Sequence, residues 1–261
     1  MSKLRLTALT AAACLVAAVA PAAHASSLVF TGIRPGTLLL LDGGGSCTAN
    51  FVFQTTGNAF DPTQQLYLGT AGHCVDLDDS IRALVVPPNA PQITSALVTV
   101  GTVVLDALPN NANAVSDAAN DFALIAINPS LKSWVSPSMA WWGGPTGSYA
   151  GGATTVTWTG NALAAGGVVP RVGSFPGFGG ATIQVDPTVD ASGDSGSAVN
   201  SIDGLAVGSL TYVTGAVDAG GESVSTHARG PSITSMLALA GHPLATCASA
   251  KPWPRPGCPP V

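Results

Sequence analysis

Short runs of apolar or alternating apolar and polar residues recur along the chain, separated by clusters of Gly, Pro, Ser and Asn. That rhythm predicts β-strands joined by turns. In the first half the runs are Leu38 to Leu41, Ala49 to Thr55, Gln65 to Ala71, Ile81 to Val86, Leu97 to Leu105 and Asp121 to Ile127, enough strands to curl into one barrel. A passage rich in Pro, Ser, Gly and Trp, from Asn128 to Gly152, then breaks the pattern and reads as a connection between halves. The second set comprises Ala153 to Thr159, Val168 to Gly173, Ala181 to Val185, Ser197 to Ser201, Leu205 to Val213 and Ser223 to Ala228. Only Ser232 to Ala240 predicts a helix, with Pro231 at its entry, Ile233, Met236, Leu237 and Ala240 at helical spacing, and Gly241 placed to stop it.

The first 25 residues do not belong to this pattern. Lys3 and Arg5 precede an apolar run from Leu6 to Ala20, and the small-residue site Ala23-His24-Ala25 lies before Ser26. Those are the marks of an export signal, and the run is too short and wrongly flanked for a membrane anchor. The expected organisation is therefore 1–25 signal peptide, 26–128 first barrel, 129–152 connection, 153–230 second barrel and 231–261 helix with a Pro-rich tail. The mature product is expected to be soluble and secreted, extracellular or periplasmic, with no membrane association. Removing Cys14 with the signal leaves Cys47, Cys74, Cys247 and Cys258, an even number in an oxidising compartment. Cys47 and Cys74 flank a strand pair and Cys247 and Cys258 close a short terminal loop, so those two pairings are expected. In the chain-entropy model they contribute roughly 3 to 4 and roughly 3 kcal/mol. No Cys-x-x-Cys or paired His-Cys cluster supports a metal site.

Composition narrows the function classes. Net charge is −5 over 261 residues and no basic stripe exists, which removes the electrostatic footprint of a nucleic-acid binder. The chemistry concentrates in three segments: Thr70-Ala71-Gly72-His73-Cys74, then Asn120-Asp121 opening an apolar strand, then Gly193-Asp194-Ser195-Gly196-Ser197. A serine hydroxyl needs a base to attack a carbonyl, an imidazole serves near neutral pH, and a carboxylate fixes the imidazole's tautomer. His73, Asp121 and Ser195 are the candidates, with Asp117 a competing carboxylate. The turn's glycines leave the amides of Gly193 and Ser195 free to face a developing oxyanion. The order His, Asp, Ser excludes the subtilisin and α/β-hydrolase arrangements.

The three segments, their order and the two sets of strands resemble the chymotrypsin-like (trypsin-like) serine peptidase family, in its compact secreted bacterial branch. The resemblance covers the mature chain in layout and is motif-specific around His73, Asp121 and Ser195. It implies an all-β fold of two six-stranded antiparallel β-barrels with the active site in the cleft between them and a short C-terminal helix. It implies a serine endopeptidase working through an acyl-enzyme intermediate, without cofactor or metal, acting as a monomer on protein or peptide substrates and open to a proteinaceous inhibitor. A catalytically silent binding protein or adhesin on the same fold is the alternative reading. By the same resemblance, substrate contacts fall to Val189, Asp190, Ser192, Ser209, Leu210 and Thr211, with Ser209 the expected partner of Asp121. Where family members that prefer Lys or Arg carry an Asp six residues before the nucleophile, this chain has Val189, with Asp190 beside it and Glu222 further on. The animal branch's free Ile-Val-Gly-Gly amino terminus is absent, so Asp194 needs another cation. Among Arg34, Arg82, Lys132, Arg171 and Arg229, Arg171 is favoured for its place in the second half. The cluster Asp76-Leu77-Asp78-Asp79 reads as a solvated loop and not a calcium site. Trp134, Trp141 and Trp142 read as barrel-junction packing in preference to a binding platform.

Overall fold

The structure is a computed structural model that describes residues 30–89, 95–108, 113–162, 167–186, 190–191, 193–214, 222–223 and 227–248. The expected signal segment 1–25, Val189, Ser192 and Cys258 lie outside them. The first half contains β1 (Phe30–Thr31), β2 (Leu38–Leu40), β3 (Ser46–Thr48), β4 (Val52–Gln54), β5 (Leu66–Thr70), β6 (Ser80–Val86), β7 (Ala96–Asp106) and β8 (Ala123–Ile127). They form one sheet in the order β3-β2-β6-β7-β8-β5-β4, with β1 added parallel to β6.

Strands β3 and β4 are two parts of one bent segment, and the bend closes the sheet. Its first part pairs with β2 (Leu38 opposite Thr48) and its second with β5 (Val52 opposite Leu68). Between them Ala49 exchanges bonds with Gly36 and Thr37, and Asn50 and Phe51 with Gly69. The sheet therefore has six staves and no open side, as the sequence pattern predicts, with β1 an addition the pattern did not show. Alternation does its usual work along β6, where Ile81, Ala83 and Val85 point into the core and their neighbours face outward.

The second half contains β9 (Thr154–Ala162), β10 (Gly167–Phe175), β11 (Thr182–Val185), β12 (Asp190–Ala191), β13 (Ser197–Ser201), β14 (Ala206–Leu210), β15 (Tyr212–Thr214), β16 (Glu222–Ser223) and β17 (His227–Pro231). Strands β14 and β15 are again one bent segment, pairing first with β13 and then with β17, and Thr211 at the bend donates its N–H to Arg229 O. Paired bonds between Ser174 and Asp186 join β10 to β11 and complete the ring β10-β9-β13-β14/β15-β17-β11. Short strands β12 and β16 pair with each other beside it.

Each barrel has its own core, Trp158, Ile183, Val185, Val199, Val207, Leu210 and Ala228 belonging to the second. A third cluster lies between the barrels, built from Phe51, Phe53, Phe122, Leu124, Met139, Ala198 and Ala206. Because β13 and β14 are covered on both faces, every residue in them is buried. Helix α1 (Ile233–Ala240) packs Ile233, Met236 and Ala240 against this middle cluster. Its N-cap is Ser232, whose side chain accepts the Ser235 N–H, and Gly241 ends it at φ 63° with its N–H on Leu237 O. In the connection, Trp134 packs on the first core and Trp142 on the middle one, while Trp141 stays 38% exposed and meets Phe30 edge-on. Among the described residues no helix is long and apolar enough to cross a membrane.

Candidate active site

His73 follows β5 on a single 3-10 turn, Gly72–Cys74. The Cys47–Cys74 disulfide ties that turn to β3, and Cys247 is also disulfide-bonded. Asp121 stands just before β8, fully buried, and engages His73 twice: Oδ1 accepts the His73 backbone N–H at 2.9 Å and Oδ2 meets Nδ1 at 2.8 Å. Two contacts to one carboxylate fix both the turn and the ring, and they assign the proton to Nδ1 so that Nε2 presents its lone pair. The competing carboxylate, Asp117, is occupied elsewhere, accepting the side-chain amide of Asn120 at 2.9 Å. Behind the pair, Asp106 has its carboxyl pushed up, first by desolvation and further by the charges of Asp76 and Asp121, against a hydrogen bond from Leu108 N–H.

Ser195 sits on a turn whose peptide planes are held one by one. Gly193 O accepts the Thr48 hydroxyl at 2.8 Å. Asp194 O accepts both the N–H and the hydroxyl of Ser197, at 3.0 and 2.6 Å. Ser195 O accepts Thr48 N–H at 2.7 Å, and Gly196 N–H goes to Leu210 O at 2.7 Å. In a trans peptide the C=O and N–H point opposite ways, so anchoring Asp194 O on Ser197 turns the Ser195 N–H outward. Gly196, at φ 96°, lies against the first barrel so closely that a Cβ would come within 2.1 Å of Thr48 O and 3.1 Å of Ala71 N, two residues before His73. The segments that carry Ser195 and His73 thus lie against each other at Gly196. The Ser195 hydroxyl itself donates to Thr211 O at 3.2 Å.

Asp194 meets Arg171 of β10, Nη1 to Oδ2 at 2.8 Å, with side chains only 4% and 8% exposed. This is the cation favoured from sequence. Arg82 pairs with Asp42, and Arg229 binds Gln184 through two nitrogens. Gly160 in β9 makes the room: a Cβ there would sit 2.2 Å from Asp194 Oδ1.

Other expected residues fall differently. Ser209 makes no hydrogen bond to Asp121; β14 turns its hydroxyl toward Asn50 in the bend of the first barrel, where it accepts the side-chain amide at 3.5 Å. Leu210 is part of the second core, while Thr211 is the residue whose carbonyl reaches Ser195. Asp190 lies in β12 opposite Ser223, with Ala191 opposite Glu222. Thr48 and Ser197 were not assigned roles from sequence. A hydroxyl inside a strand gives no periodic signal, and the partner of Thr48 lies 145 residues away in the chain.

Among the described residues, the one group of His, Cys, Asp and Glu close enough to hold a metal is Cys47, His73 and Cys74. Both sulfurs are spent in the disulfide, which leaves a single imidazole donor. In the Asp76–Asp79 loop, Asp79 Oδ2 accepts the Asp76 N–H, a turn contact.

No family model matches this sequence, and no curated protein matches it significantly. Solved structures do. Protease A of Thermobifida fusca superimposes with a TM-score of 0.56 at 17% identity, over 82% of this chain and 98% of that one. The thermostable serine protease AL20 from an extremophilic microorganism gives a TM-score of 0.50 at 14% identity, over 78% and 95%. The fold is that of the bacterial chymotrypsin-like serine proteases.

Proposed function

We propose that this protein is a secreted serine endopeptidase in which His73, Asp121 and Ser195 form the triad. The observation that carries the reading is the fully buried Asp121 carboxylate, bonded to both the backbone and the ring of His73. With Nδ1–H directed at Asp121, His73 Nε2 takes the proton of the Ser195 hydroxyl as Oγ bonds to the scissile carbonyl carbon. The carbonyl π pair moves onto oxygen, where the amides of Gly193 and Ser195 receive it. The imidazolium then protonates the leaving nitrogen, the C–N bond breaks, and an acyl-enzyme remains. Water repeats the sequence with His73 as base and releases Ser195. Before the first step the Ser195 hydroxyl must leave Thr211 O, a rotation about one side-chain bond. Apo serine nucleophiles commonly show such loose geometry. Strand β15, beside Thr211 and paired only through β17 among the described residues, offers an edge to which an extended peptide can add.

The Ser195 contact with Thr211 is also what favours the second reading, a binding protein without turnover. Labelling by a serine-directed fluorophosphonate separates the two. The peptidase reading expects covalent labelling that is lost in Ser195→Ala, and an unlabelled but correctly disulfide-bonded protein refutes it.

A further inference from the structure

Thr48 belongs to the first barrel, yet three of its polar atoms are committed to or beside the nucleophile turn of the second. Its hydroxyl donates to Gly193 O at 2.8 Å across 145 residues of sequence, and its N–H donates to Ser195 O at 2.7 Å. Its carbonyl accepts the Thr70 hydroxyl at 3.0 Å, three residues before His73. The residue is fully buried. Its hydroxyl has no freedom to turn elsewhere: the Asn161 N–H points at the same oxygen from 3.3 Å, so the Thr48 proton is left to go to Gly193 O.

We infer that Thr48 is a positioning residue for the oxyanion turn, setting from the first barrel the two peptide planes that flank the Asp194–Ser195 peptide. The two carbonyls it holds, Gly193 and Ser195, flank the plane whose N–H faces outward. With Ser197 on Asp194 O, the Ser195 N–H has little latitude. Thr48 also adjoins Cys47, whose disulfide runs to Cys74 beside His73. One residue therefore refers the Ser195 amide and the His73 turn to the same piece of strand. Arg171 restrains the Asp194 side chain; Thr48 restrains the backbone.

This role rests on the peptidase reading, and the test keeps the two apart. Wild type, Thr48→Val, Thr48→Ala and Thr48→Ser are compared after active-site titration, so that misfolded protein does not count. Valine and alanine remove the hydroxyl; serine retains it. Loss of a whole oxyanion donor lowers kcat about 10²- to 10³-fold, and a displaced donor is expected to give roughly 10- to 100-fold on the same scale. Thr48→Val should show that fall in kcat with KM little changed. Its inhibition constant for a peptide aldehyde, whose adduct with Ser195 places an oxygen in the oxyanion position, should rise by the same factor. Thr48→Ser should restore both. Unchanged kcat per titrated site in Thr48→Val overturns the inference. So does a loss confined to KM, a serine variant as impaired as the valine one, or failure of both Val and Ala variants to fold. A wild-type protein inert to fluorophosphonate and aldehyde refutes the peptidase reading itself, and this role falls with it.

Discussion

Replacing Arg171 with methionine removes the charge opposite Asp194 while keeping a long apolar stem in β10. The two groups are 2.8 Å apart and both more than nine-tenths buried, so the pair lies in the regime where deleting one partner leaves an uncompensated buried charge. That costs about 3 to 5 kcal/mol, or roughly two to four decades in the folding equilibrium. The carboxylate cannot retreat toward β9, because Gly160 already packs within contact of it. Urea unfolding followed by the fluorescence of Trp158, which is buried in the second core, measures the loss. Hydrolysis per titrated site measures the effect on the turn, expected to fall at least about 100-fold if the oxyanion amides lose their setting. The double variant Arg171→Met with Asp194→Asn sharpens the test. With no charge left to strand, stability should return in large part, while activity should not. An Arg171→Met protein within about 0.5 kcal/mol of wild type and fully active, a loss no larger than an ordinary surface substitution causes, would refute the argument. Recovery of activity in the double variant would show that the turn does not depend on the pair.

Two further outcomes are expected. Removing the Cys47–Cys74 disulfide by Cys47→Ala with Cys74→Ala, a loop with sequence separation 27, should lower the unfolding free energy by about 3.5 kcal/mol on the chain-entropy scale; a loss below about 1 kcal/mol in denaturant titration would contradict that scale here. Asp106→Asn should raise the melting temperature at pH 7 but not near pH 3. Because the Asp106 carboxyl is raised in the fold, chiefly by desolvation, the folded state holds its proton more tightly. Stability is therefore greatest below the ordinary carboxylate value of 3.8 and declines as pH climbs through the raised one. An equal gain at both pH values would remove the charge from the explanation.

Much of the site was legible because its chemistry is local in the sequence. The segment from Thr70 to Cys74 carries the candidate base and one half of the disulfide together, Asp121 opens an apolar strand, and Gly193 to Ser197 carries a turn that its residue types announce. Arg171 was favoured for its place in the second half, among the few cations open to an acid that, by the resemblance, lacks the animal branch's amino-terminal partner. Ser209 misled for an equally physical reason. Sequence spacing places a hydroxyl near the second barrel's inner strand but does not say which way it turns, and the packing of β14 turned it toward Asn50.

By itself, the sequence determined most of the strands, the helix and its stop at Gly241, the Cys47–Cys74 pairing and the three candidate residues of the site. Each depends on period, capping chemistry or residue type, properties carried within a short window of chain. Only the tertiary structure decided that the segments 46–54 and 206–214 bend and serve two neighbours each, which is how six staves close into a barrel. It alone also placed Thr48 on Gly193 and Ser195 on Thr211. Hydrogen-bond geometry between groups far apart in the chain is fixed by how two closed barrels lean on each other, and no local pattern encodes that.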